Sequence, residues 1–290
     1  MEFSFVDRIL ELEPGVRALG LKHVTPHDEF LRQGENGEPA LLSCIVGEAL
    51  GQLGAWCVMA ANDFRRRPVA GVVGEVGLLA EAMLGDTVLL DTRIDSLTEE
   101  AVVYHAVATV RGRTIATLTD SLGPFLPMEE FSDPDQMRAQ FGWIHRPGRP
   151  SDLPEGMPIR DVDIPTVCRH TTFDRILSHD SGKSIAAVKS IPILAPFLAD
   201  HFARKPVFPM SLLLESQLQL ARRLLGPTSR PTRIRNVKMN DFVLPGSSVV
   251  ATATVKDRTA DRAWVALRGE VDGRRVSLAE AEFVHEAPPA

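Results

Sequence analysis

The stretch "ALLSCIVGEALGQLGAWCVMAA" (Ala40–Ala61) carries a single charged side chain, Glu48, near its middle. Its length raises the question of a membrane span. Glu48 at the centre, the small residues Gly47, Gly51 and Gly54, and the lack of a second such segment point instead to a helix enclosed by a sheet in a soluble protein. The decisive observation is that the stretch has a counterpart. "FPMSLLLESQLQLA" (Phe208–Ala221) sets Glu215 and Gln219 where the first run has Glu48 and Gln52, an offset of 167 residues.

That offset extends far upstream without a gap. Asp7, Arg8, Ile9 and Leu10 recur as Asp174, Arg175, Ile176 and Leu177. Gly15, Lys22, Phe30 and Pro39 recur as Gly182, Lys189, Phe197 and Pro206. Downstream the offset becomes 161, matching Gly85 to Gly246 and Gly112 to Gly273, so the first half has six more residues between helix and strands. A register held this long marks a duplicated domain. Residues 1–128 form one copy, residues 129–165 a linker, and residues 166–290 the second copy. Each copy reads as an extended start, a proline-bearing loop, the long helix, and then alternating runs such as "TVLLDTRIDSL" (Thr87–Leu97) and "SVVATATVKDR" (Ser248–Arg258). Asp272-Gly273 between two such runs is a hairpin signal. The linker is rich in proline and charge and is expected on the surface, anchored by Phe141 and Trp143.

Composition bounds the function. The chain has 290 residues, 44% of them hydrophobic and 24% charged, with a net charge of −6. A nucleic-acid binder driven by bulk charge is therefore excluded. Cys44, Cys57 and Cys168 lack zinc-site spacing and read as reduced core thiols. The opening "MEFSFVDRILELEPG" lacks the basic region and apolar run of a signal peptide, so a cytoplasmic location is expected.

One helix laid in a curved antiparallel sheet, twice over, resembles an α+β double hotdog. The segment "DHFARKPVFPMSLLLESQLQLA" (Asp200–Ala221), with "NVKMNDFVLPGSSVVATATV" (Asn236–Val255) after it, resembles the hotdog dehydratases that act on 3-hydroxyacyl thioesters of acyl carrier protein. His201, Phe202, Pro206, Pro209 and Glu215 fall on that family's His-Phe-Pro-Gly-x-Pro loop and helix carboxylate. Ala203-Arg204 stands where the family has Pro-Gly, and Met210 replaces a second glycine. In the first copy Gly34 occupies the place of His201, while Pro39 and Glu48 remain.

The resemblance implies active sites built across a two-fold pair, each with histidine from one hotdog and carboxylate from the other. His201 then faces Glu48, and Gly34 with Glu215 forms a vestigial second site. His201 is the expected base for the C2 proton, and Glu48, kept protonated by an apolar surrounding, the acid for the leaving hydroxide. Backbone N–H groups at Ser43 and Cys44 are expected to receive the thioester oxygen, with Phe202, Pro209 and Gln52 in the substrate wall. Met210 and Ser211 are then their counterparts at the vestigial site. His27 and His170 are candidates for the site mouth; the other histidines fit no chemistry-bearing pattern. Arg65, Arg66 and Arg67 after the first helix, with Arg222 and Arg223 near the end of the second, suit either docking of an acidic carrier protein or a solvated helix end.

The expected activity is a 3-hydroxyacyl-ACP dehydratase of fatty-acid or polyketide biosynthesis, its substrate carried on the carrier's phosphopantetheine, with no metal or redox cofactor. Two alternatives stay open: a hotdog acyl thioesterase in which Glu48 activates water, and a non-catalytic acyl- or carrier-binding subunit. The fused pair is an internal pseudo-dimer, and further association is left open.

Overall fold

The computed structural model describes residues 3–149 and 164–285. In chain order the first copy comprises β1 (Arg8–Glu13), β2 (Arg17–His23), β3 (Leu31–Gln33), β4 (Pro39–Leu41), α1 (Ser43–Ala61), β5 (Arg66–Pro68), β6 (Val72–Leu78), β7 (Ala82–Met83), β8 (Thr87–Leu97), β9 (Ala101–Val110) and β10 (Arg113–Pro127). Helix α2 (Pro134–Ile144) follows. The second copy comprises β11 (Arg175–Asp180), β12 (Ser184–Ser190), α3 (Met210–Leu225), β13 (Ser229–Met239), β14 (Ser248–Arg258), β15 (Arg262–Val271) and β16 (Arg274–His285).

The main sheet runs β1-β2-β8-β9-β10-β6-β13-β16-β15-β14-β12-β11, so the second half of the order mirrors the first. Matching glycines adopt matching left-handed conformations: Gly15 and Gly182 at φ +74° and +71°, Gly112 and Gly273 at +77° and +74°. The halves meet where β6 pairs antiparallel with β13, with Val76 opposite Ile234 and Val73 opposite Val237. Under the 161-residue offset these two pairs exchange, so a pseudo-two-fold axis passes between them. Each copy is a hotdog, and the chain is a double hotdog.

α1 is mostly buried, and it is the one helix among the described residues long and apolar enough to cross a membrane. Its glycines let it lie close to the sheet: a Cβ on Gly54 would sit 3.1 Å from Thr92 Cγ2, and one on Gly51 3.4 Å from the Tyr104 hydroxyl. All three cysteines are buried and unpaired. The linker differs from expectation. Phe141 packs on Trp56 and Phe64, with ring centroids 6.1 and 5.4 Å away, but Trp143 is 66% exposed and anchors nothing. Phe131, fully buried, is the other anchor, just after fully buried Met128 at the end of the first copy. Past α2 the linker backbone joins β1, with Arg146 N–H donating to Ile9 O at 3.2 Å and Gly148 N–H to Leu10 O at 3.2 Å. The rest of the linker, residues 150–163, lies outside the described residues.

Removing the second copy would uncover the β13 edge of β6 together with the apolar residues beneath it. An isolated fragment of residues 1–128 is therefore expected to aggregate or self-pair. Size-exclusion chromatography with light scattering checks this; a soluble, folded monomer would show that the β6–β13 seam is dispensable.

Candidate active site

His201 and Glu48 lie far apart in sequence and in different hotdogs, yet they line the same cavity, which encloses about 260 Å³. Glu48 stands in the second turn of α1. His201 stands in the loop before α3, where its N–H donates to Phe197 O at 3.0 Å and its carbonyl accepts from Val207 N–H at 2.9 Å. The imidazole is held between rings, with Phe202 stacked at 4.3 Å and Phe3 edge-on at 4.7 Å. The His201–Phe202 peptide is cis.

Gln52, one turn on from Glu48, ties the carboxylate to the chain's opening segment. Its Nε2 donates to Glu48 Oε1 at 3.1 Å and to Phe3 O at 3.2 Å, while its Oε1 accepts from Phe5 N–H at 2.8 Å. Gln219 uses the same position differently, donating to Thr171 Oγ1 at 2.7 Å.

The two acid–base groups are pushed in opposite directions. Burial raises the Glu48 carboxyl above its ordinary value, and the Gln52 amide, the Ser211 hydroxyl and the Arg67 charge hold part of that rise back. Ser211 Oγ is close enough for its dipole to act, but it makes no hydrogen bond of proper geometry and remains a buried, unused donor. Burial, followed by the Arg67 charge, lowers His201 to about 3. The cavity thus holds an imidazole that is uncharged near neutral pH and a carboxyl that burial shifts toward its protonated form.

The helix start facing Glu48 is that of α3, not that of α1. Met210 and Ser211 line the cavity with His201 and Glu48, and α3 has no side-chain cap, so its first-turn N–H groups are open. Cys44 also borders the cavity, but its N–H donates to Glu215 Oε2 at 3.4 Å. Ser43 lines a separate pocket with Glu215, Gln219 and Arg32. No equivalent bond joins Ser211 N–H to Glu48 among the described residues. The expected donors Ser43 and Cys44 therefore belong with Glu215, and Met210 and Ser211 take their place beside Glu48. The physical reason is that each helix directs its carboxylate at the other helix's start, not at its own.

The surroundings of Gly34 differ from those of His201. Gly34 sits at the β3–β4 turn, where a Cβ would meet Glu81 Oε2 at 2.8 Å and the Glu38 carbonyl at 2.9 Å. Arg32 on β3 pairs at 2.7 Å with Glu81, just before β7, so a side chain at position 34 would crowd both this ion pair and the Glu38 backbone.

Other candidates are dispersed. Phe202 is buried against His201, and buried Pro209 precedes α3. Arg65 and Arg66 are exposed; Arg66 Nη1 donates to Glu99 O at 2.6 Å. Arg67, expected on the docking rim, lies in the cavity instead. Half-buried Arg222 donates to Pro227 O at 3.2 Å and lines the second pocket, while Arg223 is exposed. His27 is exposed, and His170 packs on Phe30 and Phe197; neither borders the cavity. Tyr104, the chain's single tyrosine, is a cavity residue not anticipated from the motifs. Burial raises its hydroxyl to about 12, with Glu48 adding to the rise, so it stays a neutral donor. Its signal was the repeat itself, because Val265 stands at the equivalent place. No group of three or more His, Cys, Asp or Glu side chains able to hold a metal ion occurs among the described residues.

Comparison with known proteins adds the family. The profile of the FabA-like domain matches residues 169–280. The 3-hydroxyacyl-[acyl-carrier-protein] dehydratase FabZ of Oenococcus oeni is 36% identical over 108 residues, covering 37% of this chain and 78% of the relative. The FabZ of Nitrosospira multiformis is 34% identical over 126 residues, covering 40% of this chain and 85% of the relative. Over nearly the whole length the fold is shared with a putative oleoyl thioesterase from Lactobacillus plantarum, with TM-score 0.60, 10% identity, and coverage of 94% of this chain and 97% of that one. It is shared as well with the 12:0-ACP thioesterase from Umbellularia californica, with TM-score 0.55, 12% identity, and coverage of 93% and 94%. At such identities the thioesterases speak for the fold alone, whereas the sequence relatives, matched over most of their own length, show that this chain belongs to the hotdog-fold 3-hydroxyacyl-[acyl-carrier-protein] dehydratase family.

Proposed function

We propose that the protein dehydrates a 3-hydroxyacyl thioester carried on the phosphopantetheine of acyl carrier protein, using one composite site per chain. The observation that carries this reading is that His201, an imidazole uncharged near neutral pH, and Glu48, a carboxyl shifted upward by burial, line one cavity. His201 takes the C2 proton, the C2–H electrons form the C2=C3 bond, and the C3–O bond breaks as Glu48 protonates the departing hydroxyl to water. A proton passed from the imidazolium to the carboxylate resets the site. The open N–H groups at the start of α3 are suited to the negative charge that gathers on the thioester oxygen. The relatives' names support a carrier-bound substrate, and exposed Arg65 and Arg66 would suit an acidic carrier surface. A thioesterase that uses Glu48 to activate water would need the carboxylate ionised, which its burial disfavours.

Incubation with 3-hydroxyacyl-ACP tests the reading. Enoyl product is expected; free acid would assign a thioesterase, and neither product a binding role. The pH profile is also expected to be one-sided. His201 is already neutral above about pH 3, so it sets no acid limb at working pH. The rate should instead fall as pH rises through Glu48's elevated range and its proton is lost. A rate that climbs steadily through that range would reject Glu48 as the acid.

A further inference from the structure

We infer that Arg67 is a positioning residue of this site: a half-buried cation, brought in by a segment that only the first copy possesses, which acts on Glu48 and His201 through its charge. This rests on the acid–base pairing proposed above. The offset falls from 167 at Gln52 to 161 at β6, so the six additional residues lie between them. α1 has 19 residues and α3 has 16. After α1 comes β5, which pairs with the end of β10 through Arg67 and Leu126, and no matching strand exists in the second copy among the described residues. The extra length thus carries Arg67 into the cavity.

Once there, Arg67 has few polar contacts to explain it. Its guanidinium carbon lies 3.9 Å from the centre of the Phe202 ring, which also stacks on the His201 imidazole. Its Nε is buried and makes no hydrogen bond. A desolvated cation with an unused donor is costly in a purely structural role. Burial lowers the guanidinium only to about 10, so it stays charged near neutral pH. That charge opposes protonation of His201 and limits the rise of Glu48. The result is a base that stays free and an acid that can still release its proton. Other charged or titratable groups lie nearby: Tyr104 on β9, Asp200 beside His201, and Lys205 over the Phe131 and Phe242 rings at 5.0 and 4.8 Å. Arg67 is the cation among them that acts on both His201 and Glu48.

The test is the protonation midpoint of Glu48, followed by 13C-carboxyl NMR of the full chain, with Glu48→Gln as the assignment control. In Arg67→Met the midpoint is expected to rise, the effect of removing a nearby opposite charge. Arg67→Lys should return it toward the wild-type value, and Arg67→Gln, which keeps polarity, should behave like the Met variant and substitutes for it if that variant misfolds. The alkaline limb of the rate profile should move up in step. A folded Arg67→Met or Arg67→Gln with an unchanged midpoint would overturn the inference. A shifted midpoint in a protein without dehydratase activity would uphold Arg67 and reject the proposed reaction.

Discussion

Glu48→Gln is expected to lower dehydration by about a hundredfold to ten-thousandfold, the range for loss of an acid–base group, while Glu215→Gln runs close to the wild-type rate. The repeat makes these residues equivalent, and each stands in the second turn of its helix. Their surroundings separate them. Glu48 shares its cavity with His201 and an open helix start, whereas Glu215 accepts the Cys44 N–H beside a hairpin that is crowded at Gly34. Glutamine keeps the size of the side chain and, at position 215, still offers an acceptor to Cys44, so the cost there should be a modest loss of stability. At position 48 it cannot act as a carboxylic acid. Steady-state rates of both variants, with binding of an unreactive thioester analogue as the control for folding, decide the matter. A dead Glu215→Gln beside an active Glu48→Gln would mean that the working site is built within one copy.

His201→Ala should cost at least about a hundredfold in turnover, because the base for the C2 proton is lost. The fold should survive, since the loop is held by backbone bonds at Phe197 and Val207 and by the Phe202 ring against Phe131 rather than by the imidazole. The neutral state of His201 gives a further expectation: chemical rescue by added imidazole should restore part of the rate, and the rescue should track the free-base fraction of the added imidazole. Near-normal dehydration by a folded His201→Ala would remove the histidine from the mechanism.

The architecture was legible in the sequence because duplication writes it twice. An offset of 167 residues up to the helix and 161 after it aligned the strands, the helices and the left-handed glycines, and alternation and helix length did the rest. The expectation that His201 and Glu48 share one cavity came from the resemblance to dehydratases whose sites straddle a two-fold pair, applied to the repeat. Exchange was not applied to the helix start, which is why Ser43 and Cys44 were expected beside Glu48. Five residues along a helix amount to about 7.5 Å, so a helix's own first N–H groups stand well away from its Glu, and the other helix supplies them. Arg67 was hidden for a different reason. It lies where the two copies differ in length, and a run of three arginines after a helix reads as solvated until the extra strand is seen turning one of them inward. Trp143 misled because a large apolar side chain on an amphipathic segment says nothing of which face meets the protein.

The seam between β6 and β13 also fixes how the protein behaves on dilution. In a two-chain pair, the groups that meet across the interface separate once the concentration falls below the dissociation constant. Here both contributions to the cavity belong to one polypeptide, joined by a continuous sheet and a tethered linker, so their local concentration is set by the chain and not by the solution. Covalent fusion also removes the requirement that both copies keep a working loop, because neither has to complete a site in an identical partner. The region around Gly34 and Glu215 can thus carry an Arg32–Glu81 ion pair while His201 stands in the other cavity.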